Sequence, residues 1–271
     1  MELANHSNVR RLLQLSGQNA KKFLGQNFLI DKNILEIIVK SAEINEDDHV
    51  VEVGPGLGVL TQELAKTAGK VTTIELDTSL LPILEKTLKE YNNIEVINMD
   101  ALKFNPPETP YKVVANIPYN ITSPLINHFL QRENQPRELT LLVQLEVAEK
   151  ICEKEPKMSV LSLQVALFGI AKLIKKVSPS CFYPPPKVTS AILHITPLQP
   201  TDLNYVPLEE AKKILTLAKK AFSQKRKKLS NTLGKPDPEI SKALQKMEFS
   251  DKRPQTLSVQ DWKKLVISQN C

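Results

Sequence analysis

Short apolar segments alternate with segments of helical periodicity from about residue 50 onward. The apolar segments are rich in Val and Ile and carry few polar residues, which is typical of strands buried on both faces of a sheet. Between most of them, apolar residues recur at spacings of three and four, which predicts helices. The pattern predicts strands at residues 50–53, 71–74, 94–97, 113–115, 139–143, 173–177 and 191–195, and helices at residues 57–67, 79–90, 124–130 and 160–168.

This alternation predicts an α/β fold in which a mostly parallel sheet is covered by helices on both faces. Ahead of the sheet we predict a helix at residues 7–15, with Ser7 or Asn8 as its N-cap, then a loop at residues 21–29. Asp31 is the predicted cap of a further helix. Ligands of such sheets bind beyond the carboxyl ends of the strands, so the residues that follow each strand are the candidates for chemistry.

The pattern changes near residue 198. Three prolines in a polar stretch (Pro197, Pro200 and Pro207) indicate a linker. The chain beyond it shows helical periodicity only, with predicted helices at residues 208–222, 225–233, 238–247 and 259–267, the last capped by Ser258. We therefore expect two domains, an α/β domain with an N-terminal helical extension at residues 1–198 and a small all-helical domain at residues 199–271.

The composition is that of an ordinary globular protein, with 41% hydrophobic and 24% charged residues. No apolar run approaches the length of roughly eighteen residues that crosses a membrane. The first 22 residues lack the apolar segment of a secretory signal, although their basic residues leave a mitochondrial transit peptide as a minor alternative. Three distant cysteines without neighbouring histidines predict no disulfide or metal site and favour the cytoplasm: Cys152, Cys181 and Cys271.

The positive charge is concentrated in the C-terminal quarter. Residues 1–198 carry 21 Lys and Arg against 22 Asp and Glu, whereas residues 199–271 carry 15 against 8. The basic cluster comprises Lys219, Lys220, Lys225, Arg226, Lys227 and Lys228. Such a cluster can follow a phosphate backbone, which predicts nucleic-acid binding, although a basic run also occurs as an ordinary solvated helix face.

The first predicted strand of the sheet runs into Gly54, Gly56 and Gly58. Glycines allow a sharp turn and a close approach of the backbone to a ligand. The spacing G-x-G-x-G differs from the G-x-G-x-x-G dinucleotide fingerprint, and the next helix has no Lys to hold a triphosphate. The turn therefore favours neither a nicotinamide cofactor nor a P-loop, and such turns also occur only to connect a strand with a helix.

Acidic residues end the second and third strands. Glu75 can accept hydrogen bonds from both hydroxyls of a ribose. Asp100 can accept from an adenine amino group while the Ala101 amide donates to a ring nitrogen. Asp77 is better explained as a helix N-cap, and Asp100 could equally be a cap.

The fourth strand ends in Asn116, Ile117, Pro118 and Tyr119. Proline has no amide N–H and cannot continue a sheet ladder, which leaves the carbonyls and the Asn116 side-chain oxygen as acceptors. Acceptors beside the Tyr119 ring suit an amino group on a nucleobase. Taken alone, the segment could be only a turn that ends a strand.

The ordered series of strand ends resembles the S-adenosylmethionine-dependent methyltransferases of the Rossmann-like class, in which N-I-P-Y belongs to enzymes that methylate nucleobase amines or amide nitrogens. Together with residues 25–29 (G-Q-N-F-L), 182–190 (F-Y-P-P-P-K-V-T-S) and 222–229, it resembles the ribosomal RNA small-subunit adenine dimethyltransferase family (KsgA/RsmA and its Dim1 branch). The resemblance covers about residues 20–235. Ile117, Thr122-Ser123 and Lys225 depart from the usual residues without removing a catalytic group. The more distant Erm enzymes share part of these motifs.

The resemblance implies that the chain dimethylates the 6-amino groups of two adjacent adenosines near the 3′ end of small-subunit ribosomal RNA, in ribosome biogenesis. The donor would be S-adenosylmethionine, without a metal. The partner would be this RNA within a partly assembled subunit, and the enzyme a cytoplasmic monomer. The alternatives are an Erm-like methyltransferase of large-subunit RNA, a DNA adenine methyltransferase, and a non-catalytic assembly or transcription factor.

Site residues carried over from the resemblance fall into two groups. The cofactor contacts are Asn27, Leu29, Gly54, Gly56, Glu75, Asp100, Ala101 and Asn116. The catalytic group is Asn116, Pro118, Tyr119 and Phe182. We expect the Asn116 oxygen and a carbonyl of Ile117 or Pro118 to accept the two amino protons, with Tyr119 stacked on the base and Phe182 closing the other side. Asn27 could instead cap its own backbone, and Phe182 could instead be a core residue.

Overall fold

The computed structural model describes residues 5–15 and 25–268. Residues 21–24 of the predicted loop, the basic pair Lys21 and Lys22, and Cys271 lie outside these ranges. The strands are β1 (Phe28–Leu29), β2 (His49–Val53), β3 (Lys70–Glu75), β4 (Ile94–Asn98), β5 (Lys112–Asn116), β6 (Leu139–Gln144), β7 (Gly169–Val177), β8 (Phe182–Tyr183) and β9 (Ser190–Pro197). The α-helices are α1 (His6–Leu15), α2 (Lys32–Ser41), α3 (Val59–Ala65), α4 (Leu81–Leu88), α5 (Thr122–Leu130), α6 (Leu145–Ile151), α7 (Val160–Ala166), α8 (Leu208–Phe222), α9 (Pro238–Lys246) and α10 (Val259–Ile267).

Seven strands form one sheet in the order β4-β3-β2-β5-β6-β9-β7. The strands from β4 to β6 pair in parallel, and β9 pairs antiparallel with β6. The central strands are buried, with Val50, Val114 and Leu142 at 0% exposure. The predicted mostly parallel α/β fold is confirmed.

The strand order of the sheet reverses at β2. β3 and β4 lie on one side of β2, whereas β5 and β6 lie on the other. Connections that leave a strand in opposite directions open a crevice at its carboxyl end, and this crevice is the usual ligand site of doubly wound sheets. The glycine turn that follows β2 is therefore at the predicted position for a site.

Most predicted elements are confirmed, with differences at their ends. Asp31 caps α2 by accepting from the Ile34 amide at 3.1 Å. Helix α3 begins at Val59 instead of Leu57 because Gly58 has a left-handed φ of 85°. Helix α6 was not predicted, because its apolar residues continue those of β6 without a turn signal. No helix in the described ranges combines the length and the hydropathy required to cross a membrane.

A two-stranded sheet joins two distant loop segments. Phe28 pairs with Tyr183 and Leu29 with Phe182, in antiparallel register. The Ile30 amide extends this pairing by donating to the Cys181 carbonyl at 2.9 Å. Strands of two residues are too short for the alternation that predicts strands. Their pairing places the G-Q-N-F-L segment beside the F-Y-P-P-P segment.

The chain divides into two compact units. The first contains the described residues of Met1–Phe129, with Asn134–Ala148 and Lys172–Thr196. The second contains Leu130–Glu133, Glu149–Ala171 and the described part of Pro197–Cys271. Helical residues from before the linker thus group with the C-terminal helices, and the division of the chain into domains at residues 198 and 199 stays a prediction.

The predicted helix at residues 225–233 is wrong over residues 225–228. A turn follows α8, and a single π-helical segment occupies Ser230–Gly234. The reason is that the Leu229 amide donates to the Lys252 carbonyl at 2.8 Å and the Ser230 amide to the Ser250 carbonyl at 3.1 Å. These amides would bond to carbonyls one turn earlier in a continuous helix. The basic residues of the turn are exposed as a result.

Candidate active site

The carboxyl ends of β2, β3, β4 and β5 line one pocket, which holds about 1130 Å³ of empty space including the part open to solvent. Its wall includes the four strand-end residues that were predicted from the sequence, which are Gly54, Glu75, Asp100 and Asn116. The other predicted residues that line the pocket are Asn27, Leu29, Gly56, Ala101, Pro118 and Tyr119. The structure thus brings together every predicted cofactor contact and all predicted catalytic residues except Phe182.

The glycine turn has a backbone that other residues rarely adopt. Gly54, Gly56 and Gly58 have φ values of 71°, 60° and 85°. A Cβ atom on Gly56 would lie 2.9 Å from the Phe28 ring. Glycine at position 56 is therefore needed both for the conformation of the turn and for its close approach to β1.

Glu75 is held by backbone amides at the end of β3. Its Oε1 accepts from the Asp77 amide at 2.7 Å and its Oε2 from the Gly56 amide at 3.3 Å. Burial raises the pKa of this carboxyl, and the amide hydrogen bonds partly offset that effect. Asp77 accepts from the Ser79 amide at 3.1 Å, which is the expected N-cap. The arrangement fixes the Glu75 carboxyl at the pocket wall.

Asp100 is the N-cap of the short turn after β4. Its Oδ1 accepts from the Leu102 amide at 2.9 Å. No partner is found for its Oδ2, or for the Ala101 amide, in the part of the chain that the structure describes. An acceptor and a donor at adjacent positions of the wall suit the edge of an adenine ring, so capping and ligand binding are compatible here.

Asn116 is oriented by the N-terminal loop. Its Nδ2 donates to the Asn27 carbonyl at 3.1 Å. Only the NH₂ group of a carboxamide can donate to a carbonyl, so the bond leaves Oδ1 as the acceptor. The Asn27 side chain donates to the Gly25 carbonyl at 3.1 Å, which is the local capping that the sequence left open.

Tyr119 is held at the pocket by its hydroxyl group. This hydroxyl forms a 2.6 Å hydrogen bond with Ser190 Oγ, and Ser190 is fully buried. Burial raises the pKa of Tyr119, so the phenol is neutral at physiological pH. No role was predicted for Ser190, although it lies in the F-Y-P-P-P-K-V-T-S segment.

Phe182 does not line the pocket. Its side chain is 2% exposed and belongs to the hydrophobic core around β2 and α2. This placement corresponds to the core-packing alternative. The stacking role of Phe182 stays a prediction, and it requires the ring to leave the core.

Glu52 was missed by the sequence reasoning. It lies in β2, is 1% exposed, lines the pocket, and accepts from Thr61 Oγ1 at 2.7 Å through Oε2. Burial raises its pKa to about 7, with a smaller contribution from the charge of Glu75. A charged residue inside an otherwise apolar strand was the available signal.

The basic cluster is exposed in the second unit. Lys219 and Lys220 end α8, and the other four residues lie in the turn that follows. Lys228 pairs with Asp251 at 2.7 Å, whereas no acidic partner is found for the other five among the described residues. These five charges are therefore available to an anionic ligand. The described residues also contain no group of three or more His, Cys, Asp or Glu side chains that could hold a metal ion.

Comparison of the sequence with known proteins gives one consistent family. The model of the family described as ribosomal RNA adenine dimethylase matches residues 17–268. A protein of Dehalococcoides mccartyi named ribosomal RNA small subunit methyltransferase A is 40% identical over 258 residues, covering 92% of this chain and 88% of that protein. The protein of the same name from Alkaliphilus oremlandii is 36% identical over 277 residues, covering 96% and 95%.

Solved structures with similar folds agree. A dimethyladenosine transferase from Plasmodium falciparum has a TM-score of 0.77 and 28% identity, covering 90% of this chain and 97% of that one. The 23S rRNA methyltransferase ErmE has a TM-score of 0.73 and 28% identity, covering 90% and 100%. The chain belongs to the ribosomal RNA adenine dimethylase family, whose members use S-adenosylmethionine as the methyl donor.

Proposed function

We propose that this protein dimethylates the 6-amino groups of two adjacent adenosines near the 3′ end of small-subunit ribosomal RNA. The observation that carries the proposal is the acceptor site at the end of β5. There the Asn116 amide is oriented by Asn27, and the Tyr119 ring is fixed beside it by Ser190. An exocyclic amine needs acceptors for its two protons and a flat surface for its ring, and this site offers both.

The pocket fits S-adenosylmethionine, which supplies an electrophilic methyl group on a sulfonium. The backbone of the glycine turn lines the pocket at Gly54 and Gly56, so it can approach the ligand. We assign Glu75 to the ribose hydroxyls, and Asp100 with the Ala101 amide to the adenine edge. Asn27, Leu29 and Gly54 would hold the methionine end. The family resemblance implies these contacts, and the presence of all these residues in the pocket wall supports them.

The target amine is activated by its position. The lone pair of an adenine amino group is delocalised into the ring. If the Asn116 oxygen and a carbonyl of Ile117 or Pro118 accept the two amino protons, the nitrogen becomes more tetrahedral and its lone pair points toward the methyl group. Positioning and oriented dipoles account for most of the rate in such a site, and the surplus proton leaves to water. Pro118 ensures that its own nitrogen does not compete as a donor.

The free-energy cost of removing the base from the RNA helix is offset by its stacking on an aromatic ring. A base stacked on an aromatic ring gains about 1–3 kcal/mol, which is comparable with the cost of removing it from a helix. Tyr119 is half-exposed and keeps its hydroxyl bonded to Ser190, so its ring can serve as this surface without reorientation.

The basic cluster supports an RNA substrate. Five of its charges have no acidic partner in the described ranges, and the C-terminal quarter holds the positive surplus of the chain. The small subunit is favoured by the relatives, which are named for it at 36–40% identity. We infer that the enzyme acts as a monomer in the cytoplasm, on this RNA within a partly assembled small subunit.

The second candidate is an Erm-like activity on large-subunit RNA, because the ErmE structure shares this fold. Methyl transfer from labelled S-adenosylmethionine to unmethylated small subunits, large subunits and double-stranded DNA separates the candidates. We expect label in the RNA of small subunits. Label only in large-subunit RNA or DNA would identify the other activities, and no label in any substrate would favour a non-catalytic assembly factor.

A further inference from the structure

Glu52 is a buried carboxyl at the pocket for which the proposed reaction has no role. It lies two residues before Gly54 on β2 and is 1% exposed. Thr61 Oγ1 donates to it at 2.7 Å. Thr73 occupies the paired position on β3 and is fully buried. A buried acid that lines a ligand pocket is a candidate for interaction with the ligand.

Among the described residues, no positive charge contributes to the pKa of Glu52. The lysines of the neighbouring strands, Lys70 and Lys112, lie at the amino ends of β3 and β5, where they pair with Glu95 and Asp48. Strand β3 contributes Glu75, which has the same sign, and Thr73; β5 contributes Val114 at the paired position. Helix α3 contributes the Thr61 hydroxyl, while its Glu63 is paired with Lys66 at 2.7 Å. Burial and the Glu75 charge raise the pKa of Glu52 to about 7, and the two hydroxyls partly offset them. Near neutral pH the group is divided between acid and carboxylate.

We propose that Glu52 releases and takes up a proton according to the charge of the bound cofactor. It is a carboxylate while the sulfonium of S-adenosylmethionine is bound, and a neutral acid when the thioether S-adenosylhomocysteine remains. In each transfer the N–H and S⁺–CH₃ bonds break, and the N–CH₃ bond forms. The sulfonium charge disappears and one proton is released. Uptake of a proton from solvent by Glu52 then keeps the buried pocket electrically balanced.

Proton linkage determines how the affinity for the cofactor changes with pH. A cationic ligand favours the carboxylate and therefore lowers the pKa of Glu52 in the complex, so binding releases a proton. Affinity for the sulfonium form then rises with pH between the pKa of the complex and that of the free protein. A shift of one pKa unit corresponds to roughly a fivefold gain between pH 6 and pH 8. The neutral product should show no such gain.

The test is isothermal titration calorimetry of the full chain at pH 6 and pH 8, with S-adenosylmethionine and with S-adenosylhomocysteine. Buffers of different ionisation enthalpy count the protons released. The wild type is compared with Glu52→Gln, because titration of the ligand's own amino group is common to both proteins. We expect the fivefold gain and the proton release only for S-adenosylmethionine, and only with Glu52 present. In Thr61→Val, the affinity for S-adenosylmethionine should begin to rise at a higher pH, because the substitution removes a hydrogen bond to the carboxylate.

Equal pH dependence in the wild type and in Glu52→Gln would overturn the proposal. So would an equal loss of affinity for both ligands, which is the result of a merely structural role. If Glu52→Gln does not fold, an unshifted profile in Thr61→Val overturns it instead. The proposal rests on use of S-adenosylmethionine by this pocket but not on the RNA target. No RNA is present in the titration, so its outcome is separate from the choice among methyl acceptors.

Discussion

Asn116 Nδ2 donates to the backbone carbonyl of Asn27 at 3.1 Å, which joins the end of the fourth parallel strand to the loop before β1. The direction of the Asn116 acceptor therefore depends on a segment far away in the sequence. Pairing of Leu29 with Phe182 holds that segment in place. Under the proposed function, Asn27 would contribute to the reaction by orienting the Asn116 side chain.

Replacement of Tyr119 should separate its ring from its hydroxyl. Tyr119→Phe keeps the stacking surface and loses only the hydrogen bond to Ser190. Tyr119→Ala loses the surface and should reduce kcat/KM roughly 5- to 150-fold, from a stacking energy of about 1–3 kcal/mol. Methyl transfer to unmethylated small subunits measures both variants. If Tyr119→Phe is as impaired as Tyr119→Ala, the ring is not the important group.

Replacement of Glu75 should weaken cofactor binding. Glu75→Gln keeps the size of the side chain but removes the charge that strengthens hydrogen bonds from ribose hydroxyls. Hydrogen bonds to charged groups are worth about 1.5–3 kcal/mol, so we expect S-adenosylmethionine to bind roughly 10- to 150-fold less tightly. Calorimetric titration gives the affinity, and Glu63→Gln on the nearby helix surface is the matched control. Unchanged affinity in Glu75→Gln would argue against the ribose contact.

Glu52 should make the unliganded protein less stable as pH rises. Its pKa is raised from 4.5 to about 7 in the native state, so the native protein holds a proton between these values that the unfolded chain has released. Stability is therefore lost as pH rises from about 4.5 through 7. Glu52→Gln cannot ionise, and its free energy of unfolding relative to the wild type should increase by about 3 kcal/mol between pH 4.5 and pH 8. Urea unfolding at several pH values measures this difference, and a difference that does not vary with pH would show that the pKa of Glu52 is not raised.

Neutralisation of the turn after α8 should flatten the salt dependence of RNA binding. We suggest the triple variant with Gln at Lys225, Arg226 and Lys227, and leave out Lys228 because it is paired with Asp251. The slope of log affinity against log salt should decrease by roughly 0.7 for each lost phosphate contact.

A triple variant with Gln at Lys235, Lys246 and Lys264 changes the net charge equally and is the matched control. These three lysines are also exposed. If both triple variants change the slope alike, the effect comes from net charge and not from contacts of the turn.

The sheet and the strand-end residues could be predicted because they depend on local signals. Buried parallel strands give continuous apolar segments, and the residue after each strand must reach the same edge of the sheet. These signals alone place Gly54, Glu75, Asp100 and Asn116 at one edge of the sheet, which is where the pocket lies.

Features that depend on contacts between distant residues could not be predicted. The turn after α8 replaces a helix because Leu229 and Ser230 bond to the backbone near Lys252, which local periodicity does not contain. The Phe182 ring is in the core because β8 pairs with β1, and an aromatic residue beside prolines fits a core or a stacking surface equally well. The burial of Glu52 likewise depends on Thr61 and Thr73, which lie in other elements.

The proposed function requires the Asn116 site to dimethylate two adjacent adenosines of small-subunit RNA. The decisive experiment is mass spectrometry of RNA from unmethylated small subunits after reaction with the wild type or with Asn116→Ala. We expect two adjacent N6,N6-dimethyladenosines near the 3′ end with the wild type, and a rate at least about 100-fold lower in Asn116→Ala, by analogy with loss of an oriented catalytic dipole. S-adenosylmethionine should still bind this variant, because Glu75, Asp100 and the Ala101 amide remain in the pocket wall. Modification at any other position, or a wild-type rate in Asn116→Ala, would show that Asn116 does not hold the methylated adenosines as proposed.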